Sequence, residues 1–240
     1  MRFRNVRGML TPCLQLQPNP VLNPSAQERR SWVPAALCAP APGYLCVRQQ
    51  GQQFQYASAM SFEDTEITLR AATSADALRL GVLATQVFLD TYAFMGITDT
   101  IANEVREAFS SDAFFELLAR ETTFITVAVR AEALVGFAQT TIGTTQALAP
   151  AGAPAELDKL YVQEPFTCRG VGTRLLRTQE AAAAEHGAAV LWLSPWVGNQ
   201  RALRFYSKHD YEDYGLVYFH MGSHKIENRV YAKRLSRVAA

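Results

Sequence analysis

Two hydrophobic periods alternate along the chain from Glu66 to about residue 235. A two-residue period, as at Ile67 and Leu69, predicts strands whose two faces differ in polarity. Runs rich in β-branched and aromatic residues, bounded by Gly or Pro, predict further strands. The expected strands are a short one at Ile67 and Leu69, then Thr123–Val129, Leu134–Ile142, Leu157–Val162, Val190–Leu193, Tyr211–Val217 and Glu227–Arg234.

Between these strands, hydrophobic residues recur at helical spacing. The clearest stripe holds residues at i, i+3, i+4, i+7 and i+8, namely Leu80, Leu83, Ala84, Val87 and Phe88. The candidate N-terminal caps are Thr73 or Ser74, Asp99, Ser111 and Asn199. The expected helices run from the first cap through Phe88, over Thr100–Phe109 and Asp112–Arg120, from Gly172 to Gly187, and from Asn199 to His209. A loop is expected over residues 144–155.

Residues 1–60 differ in composition from the rest of the chain. Seven prolines interrupt every candidate element, glutamine is frequent, and Glu28 is the only acidic residue. This composition predicts a disordered extension. A transit peptide and a start codon upstream of a true start at Met60 are alternative interpretations. We therefore assign residues 1–60 to an extension and residues 61–240 to the folded domain.

Composition and charge argue against several function classes. The formal net charge is +1 over 240 residues, so no broad basic surface for nucleic acid or membrane is expected. No apolar run has the length of a membrane span. The cysteines form no CxxC pair, and no His, Cys and Asp cluster has the spacing of metal ligands. We therefore expect neither a disulfide framework nor a metal site.

The segment Glu156–Gly172 carries the strongest functional signal. A predicted strand ends before Pro165, and Gly170 and Gly172 then let the backbone approach a ligand without a Cβ in the way. The first turn of the helix that follows has unpaired N–H groups at the positive end of the helix dipole, which favours a phosphate site. No Lys follows Gly172 and a third glycine is missing, so neither a Walker loop nor a dinucleotide fingerprint matches.

This loop resembles motif A of the GCN5-related N-acetyltransferases (GNAT family), whose pattern is Gln/Arg-x-x-Gly-x-Gly/Ala. The frame here is Thr167-Cys168-Arg169-Gly170-Val171-Gly172, with Thr167 where Gln or Arg is usual. Downstream, Trp192–Trp196 and Asn199–Tyr206 resemble motif B of the same family. Asp210-Tyr211 stands where that motif has Gly-Phe, and Asp tolerates the left-handed backbone better than most residues other than Gly.

Further segments look like the PaiA-type polyamine N-acetyltransferases within this family. They are Phe88–Tyr92, Glu156–Val162, Trp192–Trp196, Phe219–Gly222 and Ala232-Lys233. The resemblance implies an α/β (α+β) fold with a mixed, twisted, mostly antiparallel sheet and helices on both faces. Two central strands of this sheet splay apart to admit the pantetheine arm. Pro195 suits the end of a splayed strand, which needs no N–H there.

The resemblance also implies acetyl-CoA as co-substrate and assigns residues to it. The amide donors for the pyrophosphate are Cys168, Arg169, Gly170, Val171, Gly172 and Thr173. A backbone amide among Leu160, Tyr161 and Val162 faces the thioester oxygen, and their side chains are expected in the core. Asn199 contacts the cofactor arm and can also cap its helix.

Acetyl transfer to an amine needs a proton donor for the leaving thiolate and a group that accepts the amine proton. Tyr206 occupies the family position of the acid, although it also lies on a buried helical stripe. Glu156 and Asp158 lie two apart on a strand, so both point to one face. They are candidates for the base, for attraction of a cationic substrate, or for plain rim charges.

The remaining aromatic and histidine side chains give weaker signals. Trp196 is, with Glu156, a candidate contact for the acceptor, whereas Trp192 and His220 are expected as buried or rim aromatics. We expect His186 and His209 on helix surfaces.

These residues predict an acetyl-CoA-dependent N-acetyltransferase that uses no metal. The acceptor is a primary amine, such as a polyamine or a similar small amine, and attacks directly in a ternary complex. A protein N-terminal or lysine acetyltransferase and a catalytically silent acyl-CoA-binding module are the alternatives. We expect a cytoplasmic protein with no nucleic-acid or membrane partner, and a homodimer stays open.

Overall fold

A seven-stranded sheet in the order β1-β2-β3-β4-β5-β7-β6 organises the residues that the computed structural model describes, 66–221 and 224–236. The expectation of disorder for residues 1–60 lies outside these residues. The strands are β1 (Ile67–Ala71), β2 (Thr123–Arg130), β3 (Ala133–Ile142), β4 (Pro154–Val162), β5 (Val190–Leu193), β6 (Glu212–Met221) and β7 (His224–Arg234). The helices are α1 (Ala77–Tyr92), α2 (Asp99–Ala108), α3 (Ser111–Leu118), α4 (Val171–Glu185) and α5 (Gln200–Lys208).

The two central strands separate after a short parallel contact. β4 pairs with β3 antiparallel from Ala155 to Val162, but it pairs with β5 only over Pro154–Glu156. This contact is the only parallel pairing among the described strands, and every other neighbouring pair runs antiparallel. Beyond Glu156 the edge of β4 that faces β5 has no ladder partner. The mixed, mostly antiparallel sheet with splayed central strands is therefore confirmed.

A β-bulge interrupts β4 at the point where the splay begins. Gln139 pairs with Lys159 and Thr140 pairs with Leu157, so Asp158 is the extra residue on β4. A bulge bends the strand and changes which face the following side chains occupy. Side chains on either side of Asp158 consequently do not follow a simple two-residue alternation.

Helices cover both faces of the sheet and divide the core into two parts. On one face, α4 packs Leu175 and Leu176 against Leu157 and Leu191. On the other face, α1 and α3 pack against β2 and β3 around Phe137, which is fully buried. Each layer buries apolar side chains from one side of the strands, which is the main stabilising contribution to such a fold.

Glycines lie at both ends of α4, which begins at Val171, one residue before the predicted Gly172, and is closed by Gly187 as predicted. Gly170 is the N-terminal cap with φ 78°, and Gly187 adopts φ 85° just beyond the C-terminal end. Gly187 N donates to Ala184 O and Ala188 N donates to Ala183 O, the paired bonds of a Schellman motif. The N-terminal turn of α4 and the end of β4 line the same cavity.

Several predicted boundaries are wrong by a few residues. Thr98 and Ser110, rather than the following Asp99 and Ser111, accept the capping hydrogen bonds of α2 and α3. Asp99 and Ser111 are instead the first residues of their helices, so each capping residue lies one position earlier. Residues 154 and 155, expected in a loop, are the parallel-paired start of β4.

The last two strands are longer than expected. Their hairpin pairing continues to Phe219 opposite Ile226 and Met221 opposite His224, beyond the predicted strand ends. The outer part of β6 is exposed, with Tyr218 and Phe219 about half accessible, so it lacks the polar and apolar alternation that would have marked it. Among the described residues, no helix is long and apolar enough to cross a membrane.

Candidate active site

A cavity of about 920 Å³ lies at the splayed ends of β4 and β5. Its wall includes the first turn of α4, the length of α5, the end of β4 and one side of α1. Because α4 and α1 cover opposite faces of the sheet, the cavity passes through the gap between β4 and β5. The predicted site residues that line it are Leu160, Val162, Cys168, Gly170, Gly172, Thr173, Trp196, Asn199 and Tyr206.

The loop before α4 is shaped to bring backbone N–H groups to this cavity. Cys168 and Gly170 both adopt left-handed φ values, 57° and 78°, which curl the chain back on itself. A Cβ added at Gly170 would meet nothing within 4 Å, so the space over the loop is open to a ligand. The amides of Val171, Gly172 and Thr173 belong to the first turn and have no acceptor within the helix. This arrangement fits the pyrophosphate of CoA.

Cationic side chains from α5 extend the anion-binding character of this wall. Arg204 and Lys208 line the cavity, as does Arg201, whose Nη1 lies 2.7 Å from Glu164 Oε2. All three are exposed, so their attraction for a phosphate is screened by solvent and salt. They favour the binding of a polyanionic ligand without fixing its orientation.

The unpaired edge of β4 offers amides inside the gap. Gln163 N donates to Val135 O at 3.0 Å, on the side of β3. Because backbone N–H groups alternate in direction along a strand, those of Val162 and Leu160 point to the side of the gap. Their side chains also pack against the α4 part of the core. Their side chains therefore lie in the core as expected, both residues line the cavity, and the role of their backbone stays a prediction.

Tyr206 lies in the cavity wall, between the loop before α4 and the gap that separates β4 from β5. Asn199 Oδ1 accepts from Ala202 N at 3.0 Å and so caps the helix that carries the tyrosine. The Tyr206 ring is only 7% exposed and packs edge-on against Phe205 and Tyr211. Burial, and then the neighbouring Tyr92, raise the pKa of Tyr206 above its ordinary value. The phenol is consequently protonated at neutral pH and can act as a donor.

Glu156 and Asp158 lie on the same face of β4, as their spacing predicts. Thr141 pairs with Glu156 across the sheet, and its Oγ1 donates to Asp158 Oδ2 at 2.8 Å, so both carboxylates are on the Thr141 side. Burial, and then repulsion from Asp158, raise the pKa of Glu156 to about 7, and Lys159 opposes the rise. Desolvation also raises the pKa of Asp158, although its outer surface is exposed. The half-buried Glu156 therefore has the more strongly shifted carboxyl.

The bulge adds a cation to this face. Lys159 Nζ donates to the buried Gln139 Oε1 at 3.4 Å. Burial lowers the pKa of Lys159, whereas Asp158, Glu104 and Glu156 raise it. Glu104 comes from α2, so three carboxylates from two elements surround one ammonium.

Aromatic rings close the site on the side of α1. The Trp196 ring centroid lies 5.7 Å from that of Tyr92 and 6.0 Å from that of Phe94, which stacks nearly parallel to it. Phe94 is 71% exposed. Aromatic faces of this kind can contact the carbon chain or the ammonium group of an amine.

Some predicted residues lie outside the cavity wall. Glu156 and Asp158 are on the opposite face of β4 from the α4 core, and the Tyr161 ring packs edge-on against Phe137. Val171 is buried in the core, so only its amide is directed to the loop. Arg169 is exposed and does not line the cavity either. The roles assigned to these residues stay predictions.

Sequence reasoning missed four residues near the site: Glu104, Lys159, Tyr92 and His209. The expectation that His209 lies on a helix surface is wrong, because it is half-buried in the cavity wall and hydrogen-bonded to Thr173 at 2.9 Å. His186 is exposed as expected. His209 falls at i+7 from Ala202, on the same helical stripe as Phe205 and Tyr206, and this spacing was a signal that it faces inward. No sequence pattern indicated Glu104, because its approach to Lys159 depends on how α2 packs.

Other predicted aromatic residues are structural. Trp192 is buried and its Nε1 donates to Thr144 O at 2.7 Å, and His220 is exposed on the edge strand β6. Across residues 66–221 and 224–236, no three His, Cys, Asp or Glu side chains form a group that could hold a metal ion.

Residues 92–211, half of the chain, match the sequence model of the acetyltransferase (GNAT) family. An uncharacterized N-acetyltransferase of Mycobacterium bovis is 31% identical over 135 residues, which cover 56% of this chain and 82% of that protein. The fold is similar to that of the PaiA N-acetyltransferase from Thermoplasma acidophilum in complex with coenzyme A, with 21% identity and a TM-score of 0.55 over 70% of this chain and 99% of that one.

A ribosomal-protein-alanine N-acetyltransferase from Brucella melitensis is similar to a comparable degree. It shows 20% identity and a TM-score of 0.53, and the match covers 70% of this chain and 99% of that one. At these identities, the likeness to solved structures shows the fold and leaves the acceptor open.

Proposed function

Because this chain belongs to the GNAT family of acetyltransferases, which use acetyl-CoA, we propose that it acetylates a small primary amine, with a polyamine as the leading acceptor class. The amine attacks the thioester directly while both substrates are bound. The observation that carries the proposal is Glu156, a carboxyl with a pKa of about 7 on β4 at the start of the splay.

The donor half of the site is built from the α4 loop and the edge of β4. When bound, acetyl-CoA supplies an activated acyl group and a thiolate leaving group. The amides of the first turn of α4 hold the pyrophosphate, and the Leu160 or Val162 N–H in the gap stabilises the charge that develops on the thioester oxygen. These donors are part of the backbone, so they are fixed before the substrate arrives.

Glu156 accepts the proton of the acceptor amine. An alkylammonium group has a pKa of about 10, so most of the acceptor arrives protonated and must lose a proton before it attacks. A base whose pKa lies near the working pH is deprotonated often enough to act and still basic enough to accept the proton. Burial and Asp158 bring Glu156 into this range, which an exposed glutamate would not reach.

Tyr206 donates a proton to the leaving thiolate. Its buried position in the cavity wall keeps the phenol in the protonated form. The raised pKa also makes it a weaker acid, so we expect it to contribute toward the low end of general acid catalysis. Its oxygen returns to the neutral form by taking up, through water, the second proton that the amine nitrogen loses as the amide forms.

The charges near Glu156 favour a cationic acceptor. Glu104, Glu156 and Asp158 outnumber Lys159, so the group is net negative even when Glu156 is protonated. The rings of Tyr92, Phe94 and Trp196 provide an apolar surface on the α1 side of the site. A molecule with an alkyl chain and more than one amine satisfies both features, because its second ammonium remains charged while the first one reacts.

The test is acetyl transfer to a panel of amines. The full chain is incubated with acetyl-CoA and, separately, spermidine, a simple alkyl monoamine, a peptide with a free N-terminal alanine, and a lysine peptide blocked at its N-terminus. Thiol release and product mass are measured for each. We expect spermidine to have the highest kcat/KM. Preference for either peptide would replace the polyamine with a protein acceptor, and CoA binding without turnover on the whole panel would indicate a silent binding module.

A further inference from the structure

His209 joins the end of α5 to the first turn of α4 through both of its ring nitrogens. Nδ1 lies 2.9 Å from Phe205 O, and Nε2 lies 2.9 Å from Thr173 Oγ1. The imidazole also packs against the Phe205 ring at a centroid distance of 4.4 Å. His209 and Thr173 both line the cavity, next to the loop that offers its amides to the pyrophosphate.

These contacts determine where the protons lie. A carbonyl oxygen only accepts hydrogen bonds, so His209 Nδ1 carries a hydrogen and donates to Phe205 O. A neutral imidazole has a single N–H, so Nε2 is then an acceptor and the Thr173 hydroxyl donates to it. In this state Thr173 offers an anion only lone pairs, because its one hydrogen is directed at the histidine.

Protonation of His209 reverses that bond. An imidazolium donates from both nitrogens, so Nε2–H then donates to Thr173 Oγ1. The hydroxyl hydrogen is released and can be donated to an oxygen atom in the cavity. The same pair therefore presents an acceptor to the cavity in one protonation state and a donor in the other.

We propose that His209 is a positioning residue that couples the binding of CoA to uptake of a proton. Thr173 donates to a phosphate oxygen of CoA when His209 is protonated, and it cannot do so while it donates to Nε2. The proton comes from solvent and remains on the imidazole while CoA is bound. The inference requires the CoA site of the family, but it is independent of which amine is acetylated.

The other charged groups around His209 do not produce the same effect. Asp210 follows it in the chain, and the remaining charged residues of the cavity wall are Asp90, Glu164, Arg201, Arg204 and Lys208. Ordinary carboxyl groups titrate below pH 5, and Arg and Lys titrate above about pH 10. Of the described residues that line the cavity, only His209 carries an imidazole, the group whose charge normally changes between about pH 5 and pH 8.

The experiment measures the Kd of CoA by titration calorimetry between about pH 6 and pH 7.5, a range in which imidazole groups titrate and most thiols do not. Buffers with different ionisation enthalpies report the protons taken up on binding. The phosphate of CoA itself titrates near pH 6, so each variant is compared with the wild type under the same conditions. The effect of the CoA phosphate on affinity and proton uptake is then the same in both proteins and cancels from the comparison.

Four variants separate the coupling from folding effects. His209→Gln keeps an amide near the position of Nε2 but cannot titrate, and Thr173→Val keeps the branched shape but loses the hydroxyl. Thr173→Ser retains the hydroxyl. His186→Gln is the matched control, because His186 Nδ1 bonds Ala182 O at 2.8 Å in the same i−4 manner but lies outside the cavity wall.

We expect wild-type affinity, relative to His209→Gln, to fall about threefold to tenfold from the lower to the higher pH, as for loss of a charge-assisted hydrogen bond. Proton uptake beyond the contribution of CoA itself should be present in the wild type, Thr173→Ser and His186→Gln, and absent in His209→Gln and Thr173→Val. If Thr173→Val weakens binding equally at every pH and still takes up the proton, the coupling is overturned.

The coupling is also overturned if the affinity for CoA has the same pH dependence in the wild type and in His209→Gln. Should His209→Gln fail to fold, the comparison of Thr173→Val with Thr173→Ser decides the question alone. A wild-type protein that does not bind CoA at all would overturn this coupling together with the proposed function.

Discussion

At the proposed donor end of the site the binding groups belong to the backbone, whereas at the proposed acceptor end they are side chains that lie outside the cavity wall. The α4 loop offers the N–H groups of its first turn, held by the left-handed Gly170. The acceptor end instead depends on Glu156 and Lys159 from β4 and Glu104 from α2, which meet only in the folded chain. Backbone donors have the same chemistry whatever the side chain, so we expect Thr167 in place of the usual Gln or Arg to reduce the affinity for CoA at most.

The acceptor end is correspondingly easy to change. Its charge depends on a few carboxyl groups whose pKa values are raised by burial and, for Glu156, then by repulsion from Asp158. One substitution there alters both the net charge and the protonation of the remaining groups. A fold of this kind can therefore keep one donor site and vary its acceptors.

The largest expected effect comes from removing the carboxylate at the acceptor end. Glu156→Gln keeps the shape of the side chain but cannot accept a proton, so kcat/KM should fall about 10²–10⁴-fold. In the wild type, kcat/KM should rise as pH increases through about 7, because Glu156 must lose its proton to act as base. This rise should be absent from the variant.

Asp158→Asn is the matched comparison for that prediction. It removes the neighbouring charge that helps to raise the pKa of Glu156, so the rise in kcat/KM should move to lower pH with much of the activity retained. If Glu156→Gln keeps the wild-type pH profile, the base is another group.

Tyr206→Phe tests the group that lies between the two ends. The ring packing against Phe205 and Tyr211 is kept, so only the donor is lost. We expect the single-turnover rate to fall about 10²-fold, near the low end for general acid catalysis, with CoA affinity unchanged. Tyr211→Phe is the control, because that ring is equally buried but does not line the cavity. Equal rates for both variants would reduce Tyr206 to a packing residue.

Gly170→Asp breaks the donor end. The aspartate side chain would enter the open space over the loop and repel the pyrophosphate. CoA affinity should fall at least about tenfold, or about 1.4 kcal/mol. Gly143→Asp provides the control for backbone strain, because Gly143 has a similar φ of 83°, the same open surroundings and a position outside the cavity wall. A comparable loss in both variants would attribute the effect to strain, and unchanged affinity in Gly170→Asp would place the cofactor elsewhere.

The smallest effect is expected from the charge that α2 adds to the acceptor end. Glu104→Gln should raise the KM for a polyamine about threefold, because it removes one partly screened attraction, and kcat should change little. Glu107→Gln is the matched control, since Glu107 lies on the same helix but is exposed and pairs with Arg106. Kinetics with spermidine at low ionic strength measure both. An unchanged KM for Glu104→Gln would limit the acceptor site to the carboxylates of β4.

Most of the donor end could be predicted because its determinants are local. Gly170 and Gly187 set the two ends of α4, and Asn199 caps α5, each through contacts within a few residues of itself. The left-handed Asp210 was likewise expected from its place after a helix, and φ there is 66°. The functional roles given to the loop residues nevertheless rest on the family resemblance, since two glycines after a strand are not specific.

The acceptor end was predicted only in part. A two-residue spacing correctly placed Glu156 and Asp158 on one face, but it would send Lys159 to the other. The bulge at Asp158 brings Lys159 to the Gln139 side instead. The local sequence did not predict this bulge, because it is defined by the pairing of β4 with β3. The bond of His209 to Thr173 was not predicted, because Thr173 is distant in the chain.

The sequence by itself determined the order of strands and helices, the ends of α4 and the glycine loop before it, because these depend on hydrophobic period, backbone freedom and caps that act over a few residues. Only the tertiary structure decided the separation of β4 from β5 after Glu156, the shifted pKa of that residue and the bond between His209 and Thr173. Desolvation, charge repulsion and hydrogen bonds act through space, so their partners are set by packing and not by distance along the chain.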